Sequence, residues 1–268
     1  MREPVLGVPA GRRRRRRHPW ELPMVWLCVV VTAAAAAVAA WRVMTGEAAN
    51  LEFGILALPL MIYLLRGLHY ARQRVNGVRI TAEQFPEAHA MLTKATHAFG
   101  LRRVPDAYVV CGNGVLNAFA NGHGSRRYVV FHSDLFEVGG RLRDPETFRF
   151  VLGHEIGHIA AGHVSYLRSV ATGVAQQVPV LGSALSRAQE YTADNYGYAL
   201  APSGSRGMTV LAAGKYLYPQ VDFDQMADRS RTERGFFVFA ANALASHPVH
   251  VKRLAALRDR TRPGRMFF

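Results

Sequence analysis

The chain reads as an α+β, mainly helical domain with a small β-sheet, preceded by an N-terminal transmembrane hairpin. Three features carry this reading. Two apolar segments flanked by arginine lie near the N-terminus, short β-rich runs are confined to residues 107–131, and helical periodicity governs most of the remainder. The 268-residue chain leaves ample length after about residue 75 for one hydrophobic core.

Residues 22–41 are twenty positions without a charged side chain, enough for a transmembrane helix. An unbroken arginine run, 12–17, stands before them, and arginine beside a span favours a cytoplasmic N-terminus. A second apolar segment, 53–65, lies between Glu52 and Arg66. It reaches spanning length, about 51–68, if Leu51, Gly67 and Leu68 sit near the interfaces and Arg66 snorkels. Arg66, Arg72, Arg74 and Arg79 then follow, whereas the loop 42–50 carries only Arg42 and Glu47 as charges. That asymmetry favours a hairpin with both ends cytoplasmic. The chain thus divides into a basic tail (1–21), a hairpin (22–70) and a cytoplasmic domain (75–262). The rival is a cleaved signal peptide with Ala37-Val38-Ala39 as its cleavage site, which would place the domain outside the cytoplasm. A twin-arginine signal fits less well, because no Phe-Leu follows the arginines.

The formal net charge of +14 raises nucleic-acid binding as another reading. No zinc-finger spacing or aromatic RNA-binding pattern supports it. The arginine run beside an apolar span has topology as its simpler explanation, so the expected partner is the lipid bilayer and no nucleic acid is expected. Cys28 in an apolar run and Cys111 in an expected strand provide no disulfide framework, which points to a reducing compartment for the domain.

Residues 83–99 form an amphipathic helix with Phe85, Ala88, Met91, Leu92, Ala95 and Phe99 on one side. The runs 107–111, 115–121 and 128–131 read as strands between glycine and asparagine turns. Asp144-Pro145-Glu146 then opens a helix as N-cap, first-position proline and first-turn acid. Phe148, Val151, Leu152, Ile156 and Ile159 supply its apolar face. Gly153, Gly157 and Gly162 each cost a helix about 1 kcal/mol relative to alanine. They imply a close neighbour or a bend.

This helix carries His154-Glu155-Ile156-Gly157-His158. Two imidazoles four residues apart share one helical face and can bind a single zinc ion, with Glu155 placed as general base for an attacking water. A third ligand is required. The metzincin pattern would need glycine at 161 and histidine at 164. The chain has Ala161 and Val164, with His163 one place early, so that class is rejected. Downstream, Glu190 and Asp194 lie one helical turn apart. Glu190 is assigned to the metal and Asp194 to the free ring nitrogen of a ligating histidine. The bland alternative is a solvated acidic face.

Together with Ser246-His247-Pro248 and Arg253, these motifs resemble the HtpX-like and CaaX-prenyl-protease-type zinc endopeptidases over roughly residues 80–260. Asn117-Ala118-Phe119-Ala120 matches the segment that forms an edge strand beside the active-site helix in that family. The resemblance implies a zincin-like metallopeptidase fold, one Zn2+ per chain and polypeptide substrates. It also implies substrate contact at Asn117, Ala118 and Phe119, and His247 near the catalytic centre. HtpX-type members carry further spans between the two metal motifs. Here 165–186 contains Arg168, Gln176, Gln177 and Pro179, and is too short and polar to cross twice.

After Asp194, helices are expected over 208–218, 225–243 and 247–260, followed by a loose tail from 262. His247, Arg253 and Tyr191 are the candidates for stabilising an oxyanion. The expected activity is that of a membrane-anchored zinc endopeptidase, acting by Glu155-assisted water attack, with a role in membrane-protein quality control. The alternatives are a prenylated-peptide protease and a non-catalytic metal-binding membrane scaffold, for which Glu155 would have no use.

Overall fold

Apolar runs make the first two elements, α1 (Glu21–Met44) and α2 (Asn50–Asn76), helices long and apolar enough to cross a membrane. Little of either is buried within the protein, and they support membrane anchoring. The computed structural model describes residues 17–137 and 142–267, so arginines 12–16 lie outside the described residues. Arg66 stands at the domain end of the second apolar segment. It is half-buried, and its guanidinium donates to the Gly122 and Val164 carbonyls (both 2.6 Å) and to Ser169 Oγ (2.9 Å), tying α2 to the domain.

The small sheet has the order β1 (Val78–Arg79), β2 (Asp106–Val110), β4 (Arg126–His132), β3 (Ala118–His123). β2 and β4 run parallel, and the two outer pairings are antiparallel. Alternation along the strands buries both faces. Ala107, Val109, Val129 and Phe131 face the main core with Leu92 and Ala95 of α3 (Pro86–Ala98) and Phe148 and Leu152 of α4 (Pro145–Ala160). Tyr108, Tyr128 and Val130 face the other way, where Tyr70 of α2 stacks on Tyr128 at 4.8 Å.

α4 begins as its sequence predicts, with Asp144 accepting from Thr147 N (3.0 Å) and Thr147 Oγ1 (2.6 Å). Its glycines admit a neighbour: α6 (Leu181–Leu200) crosses α4 so closely that a Cβ on Gly157 would lie 2.6 Å from Tyr196 Cβ. Between them, α5 (Tyr166–Ala171) and a 3-10 turn at Ala175–Gln177 form a hairpin against the membrane helices.

Downstream the expected helices are more broken than periodicity suggests. A 3-10 stretch (Ser203–Thr209) precedes α7 (Val210–Leu217), and 225–243 is two helices, α8 (Phe223–Thr232) and α9 (Phe236–Leu244). The break is at Gly235, whose φ of 117° is closed to side chains with a Cβ. α10 (His250–Arg258) starts beyond Pro248, so His247 sits in the preceding loop. The expected loose tail is instead a strap. Met266 is buried, its carbonyl accepts from Arg187 Nε (3.0 Å) and Asn242 Nδ2 (2.9 Å), and the Arg265 carbonyl accepts from Tyr191 Oη.

Candidate metal centre

The helical turn of α4 sets His154 and His158 side by side with their Nε2 atoms 3.2 Å apart. α6 brings Glu190 opposite, its Oε2 3.4 Å from His154 Nε2 and its Oε1 3.4 Å from His158 Nε2. One ligand atom from each of the three residues lies within 4.8 Å of the others. Glu190 Oε2 is buried without a hydrogen-bond partner, a costly state for a carboxylate oxygen unless a cation meets it. This donor set, two imidazoles and a carboxylate, is one that suits zinc with a position left open.

The electrostatics agree. Burial would raise the Glu190 carboxyl, but the two histidines hold it well below the usual carboxylate range. Burial and the Arg253 charge oppose protonation of His154, yet Asp194 and Glu190 outweigh them and its pKa rises to about 9. The cluster is therefore built to hold positive charge between two carboxylates.

Each histidine is oriented from behind. His154 Nδ1 lies 2.9 Å from Asp194 Oδ1, and Arg253 grips Asp194 through Nε–Oδ2 and Nη2–Oδ1 contacts of 2.7 Å each. His158 Nδ1 meets no carboxylate directly. It lies 2.7 Å from His163 Nδ1, and His163 Nε2 lies 3.2 Å from Glu21 Oε1. For His158 Nε2 to be a ligand, Nδ1 must carry the proton and donate it to His163. His163 must then donate from Nε2 to Glu21. Glu21, fully buried and also bound by Arg17, Arg168 and Thr192, is the first residue of α1. In the sequence His163 stands one place short of the metzincin position, and no local pattern links it to Glu21, because 142 residues separate the pair.

A cavity of about 740 Å³ opens on the cluster. Glu155, His247, Arg253 and residues Asn117, Ala118, Phe119 and Ala120 line it, along with Leu58 and Ile62 of α2. His247 stands at the rim, 64% exposed, with Nε2 3.7 Å from Glu190 Oε1. Tyr191 leaves the oxyanion candidates, because its hydroxyl points to the Arg265 carbonyl and its ring stacks on His18. β3 is an edge strand, shifted to Ala118–His123 from the expected 115–121. The Asn117 carbonyl accepts from His132 N, so alternation turns the amides and carbonyls of Ala118 and Ala120 toward the open edge. Gly122 shares that edge, where Arg66 takes its carbonyl.

A family model described as Peptidase family M48 matches residues 82–178 and 166–261, together two-thirds of the chain. No curated protein and no solved structure matches it.

Proposed function

Because this chain belongs to peptidase family M48, we propose that it is a membrane-anchored, zinc-dependent endopeptidase acting on polypeptides, membrane proteins among them. The observation that carries the proposal is the convergence of His154, His158 and Glu190 within 4.8 Å, in a cavity that also holds Glu155. In this reading His154, His158 and Glu190 hold the zinc ion. When bound, the ion supplies a Lewis acid that brings the pKa of a water near 7 and polarises a carbonyl.

The remaining work falls to the protein. Asp194, under Arg253, fixes the His154 ring, and Glu21 acting through His163 fixes His158. Residues 117–119 align an extended substrate, with the outward-facing groups of Ala118 and Ala120 making main-chain hydrogen bonds. Glu155 takes the proton of the attacking water and returns it to the leaving amide nitrogen. His247, at the cavity rim, donates to the developing oxyanion. The domain (75–262) lies on the cytoplasmic side behind the hairpin (22–70) and the basic tail (1–21), and works in membrane-protein quality control. Leu58 and Ile62 on the cavity wall favour, as second reading, a prenylated peptide as substrate.

Purified protein should bind one zinc ion per chain and cleave casein, and Glu155→Gln should keep the zinc and lose the cleavage. Cleavage that survives in Glu155→Gln, or a wild-type chain that takes up no zinc, would overturn the assignment.

A further inference from the structure

Residues 166–185, between the two metal motifs, run alongside both membrane helices. Exposed Trp20 and Trp41 bracket α1, twenty-one residues apart, which spans about 31 Å at helical rise. That is about the thickness of a bilayer hydrocarbon core, and tryptophans gather at its two interfaces. Thr32 lies twelve residues from Trp20, about 18 Å along the axis, close to the midplane. Its Oγ1 accepts from Ala175 N at 3.2 Å, and Cys28, one turn away, packs against Ala175 and Leu185. From the other side, Tyr166 Oη donates to the Pro59 carbonyl at 3.0 Å, and Gly173 lies against Leu58. Pro59 is midway between Glu52 and Arg66, the charges that bound the second span.

The path is therefore a descent and a return. Arg168 pairs with Glu21 at the start of α1, Ala175 sits beside Thr32, Leu185 beside Cys28, and Thr192 donates back to Glu21. We propose that residues 166–185 form a re-entrant hairpin that enters the bilayer to about its midplane, with Val178, Pro179 and Val180 against lipid acyl chains. The proposal rests on the membrane-anchor reading of α1 and α2. The segment is too short to cross twice, but half-depth needs only about ten residues each way.

Its chemistry sorts as that placement requires. Val178 and Val180 are 43% and 40% exposed. Gln176 and Gln177 line the catalytic cavity instead. Irregular backbone at membrane depth survives only where protein or a polar cavity satisfies it. Here Ala175 N has Thr32, and the amides of Gln176, Gln177 and Val178 bond to Thr172, Val174 and Ala175 carbonyls. Leu58 of α2 and Gly173 of the hairpin both line the cavity that holds Glu155, so that cavity reaches below the interface.

Depth-dependent fluorescence quenching tests this. In a Cys28→Ala, Cys111→Ser background, single cysteines replacing Val30, Leu60, Val104, Leu167, Val178 and Val180 are labelled with bimane. The full chain is then placed in phosphatidylcholine vesicles carrying acyl-chain nitroxides. Val178 and Val180 positions should quench to the extent of Val30 and Leu60, and Leu167, next to Arg168, should quench less. Val104, on the domain surface, should not quench. If Val30 and Leu60 quench while Val178 and Val180 match Val104, the hairpin is wrong and the anchor stands. If Val30 and Leu60 also fail to quench, the anchor reading falls and the hairpin with it. Labels at Val178 and Val180 protected from both nitroxide and aqueous iodide would show protein covering this face, which also overturns the proposal.

Discussion

His154 and His158 differ in what stands behind them, and the difference is testable. Asp194 contacts His154 directly, so Asp194→Ala should lower zinc affinity by about 10–100-fold, as loss of a hydrogen-bonded carboxylate behind a ligand does. His163→Ala should lower it in the same range through His158, and Glu190→Ala should reduce it further than either. Competition against a chelator measures all three, and full zinc occupancy in Glu190→Ala would remove that residue from the ligand set. The same site predicts a pH effect. With its pKa raised to about 9, His154 carries a proton at pH 7 that zinc must displace. Apparent affinity should then rise about tenfold per pH unit between 7 and 9, and calorimetry in buffers of different ionisation enthalpy should detect the released proton. A flat profile would contradict the His154 environment described here.

At the scale of elements, α4 was the most legible part of the chain, because its cap, first-position proline, apolar period and histidine spacing all agree. Its glycines also announced a close neighbour, which proved to be Tyr196 and Gly197 of α6. Gly235 gave no comparable warning, since one glycine within a periodic stretch does not declare a positive φ. β1 was invisible because two residues carry no period. The strap at 263–267 and the Glu21–His163 contact depend on long-range packing, which local patterns do not encode. Two element predictions follow. Ala118→Pro removes an amide that faces the open edge rather than β4, so the fold and bound zinc should persist while kcat/KM for peptides falls. Unchanged catalytic efficiency would count against the edge as substrate platform. His247→Ala should cut turnover by roughly 10–1000-fold if the ring donates to the oxyanion, with zinc still bound. It should raise turnover if the ring instead occupies the open zinc position at rest. Wild-type kinetics would exclude both roles.

For the whole molecule, the hairpin and the domain are one assembly. Glu21 contacts His163 behind the metal cluster, Arg66 holds the sheet edge, and Leu58 and Ile62 line the cavity. A reporter fused after Arg79 should report a cytoplasmic location, in line with the arginines on that side. Periplasmic or extracellular reporter activity, or a mature N-terminus near Ala40, would favour signal cleavage over the hairpin.

An open sheet edge is ordinarily a hazard, because any other exposed strand can pair with it and start aggregation. In this protein the hazard is narrowed. Arg66 occupies the Gly122 carbonyl, and the groups left open at Ala118 and Ala120 face a walled cavity. In the proposed function it is a single extended chain, not a neighbouring sheet, that pairs with those groups. A well-folded protein has most of its amides already paired and rarely offers a free strand to such an edge. An unravelled segment does. Selection at this site would then read the loss of structure itself, independent of any residue code.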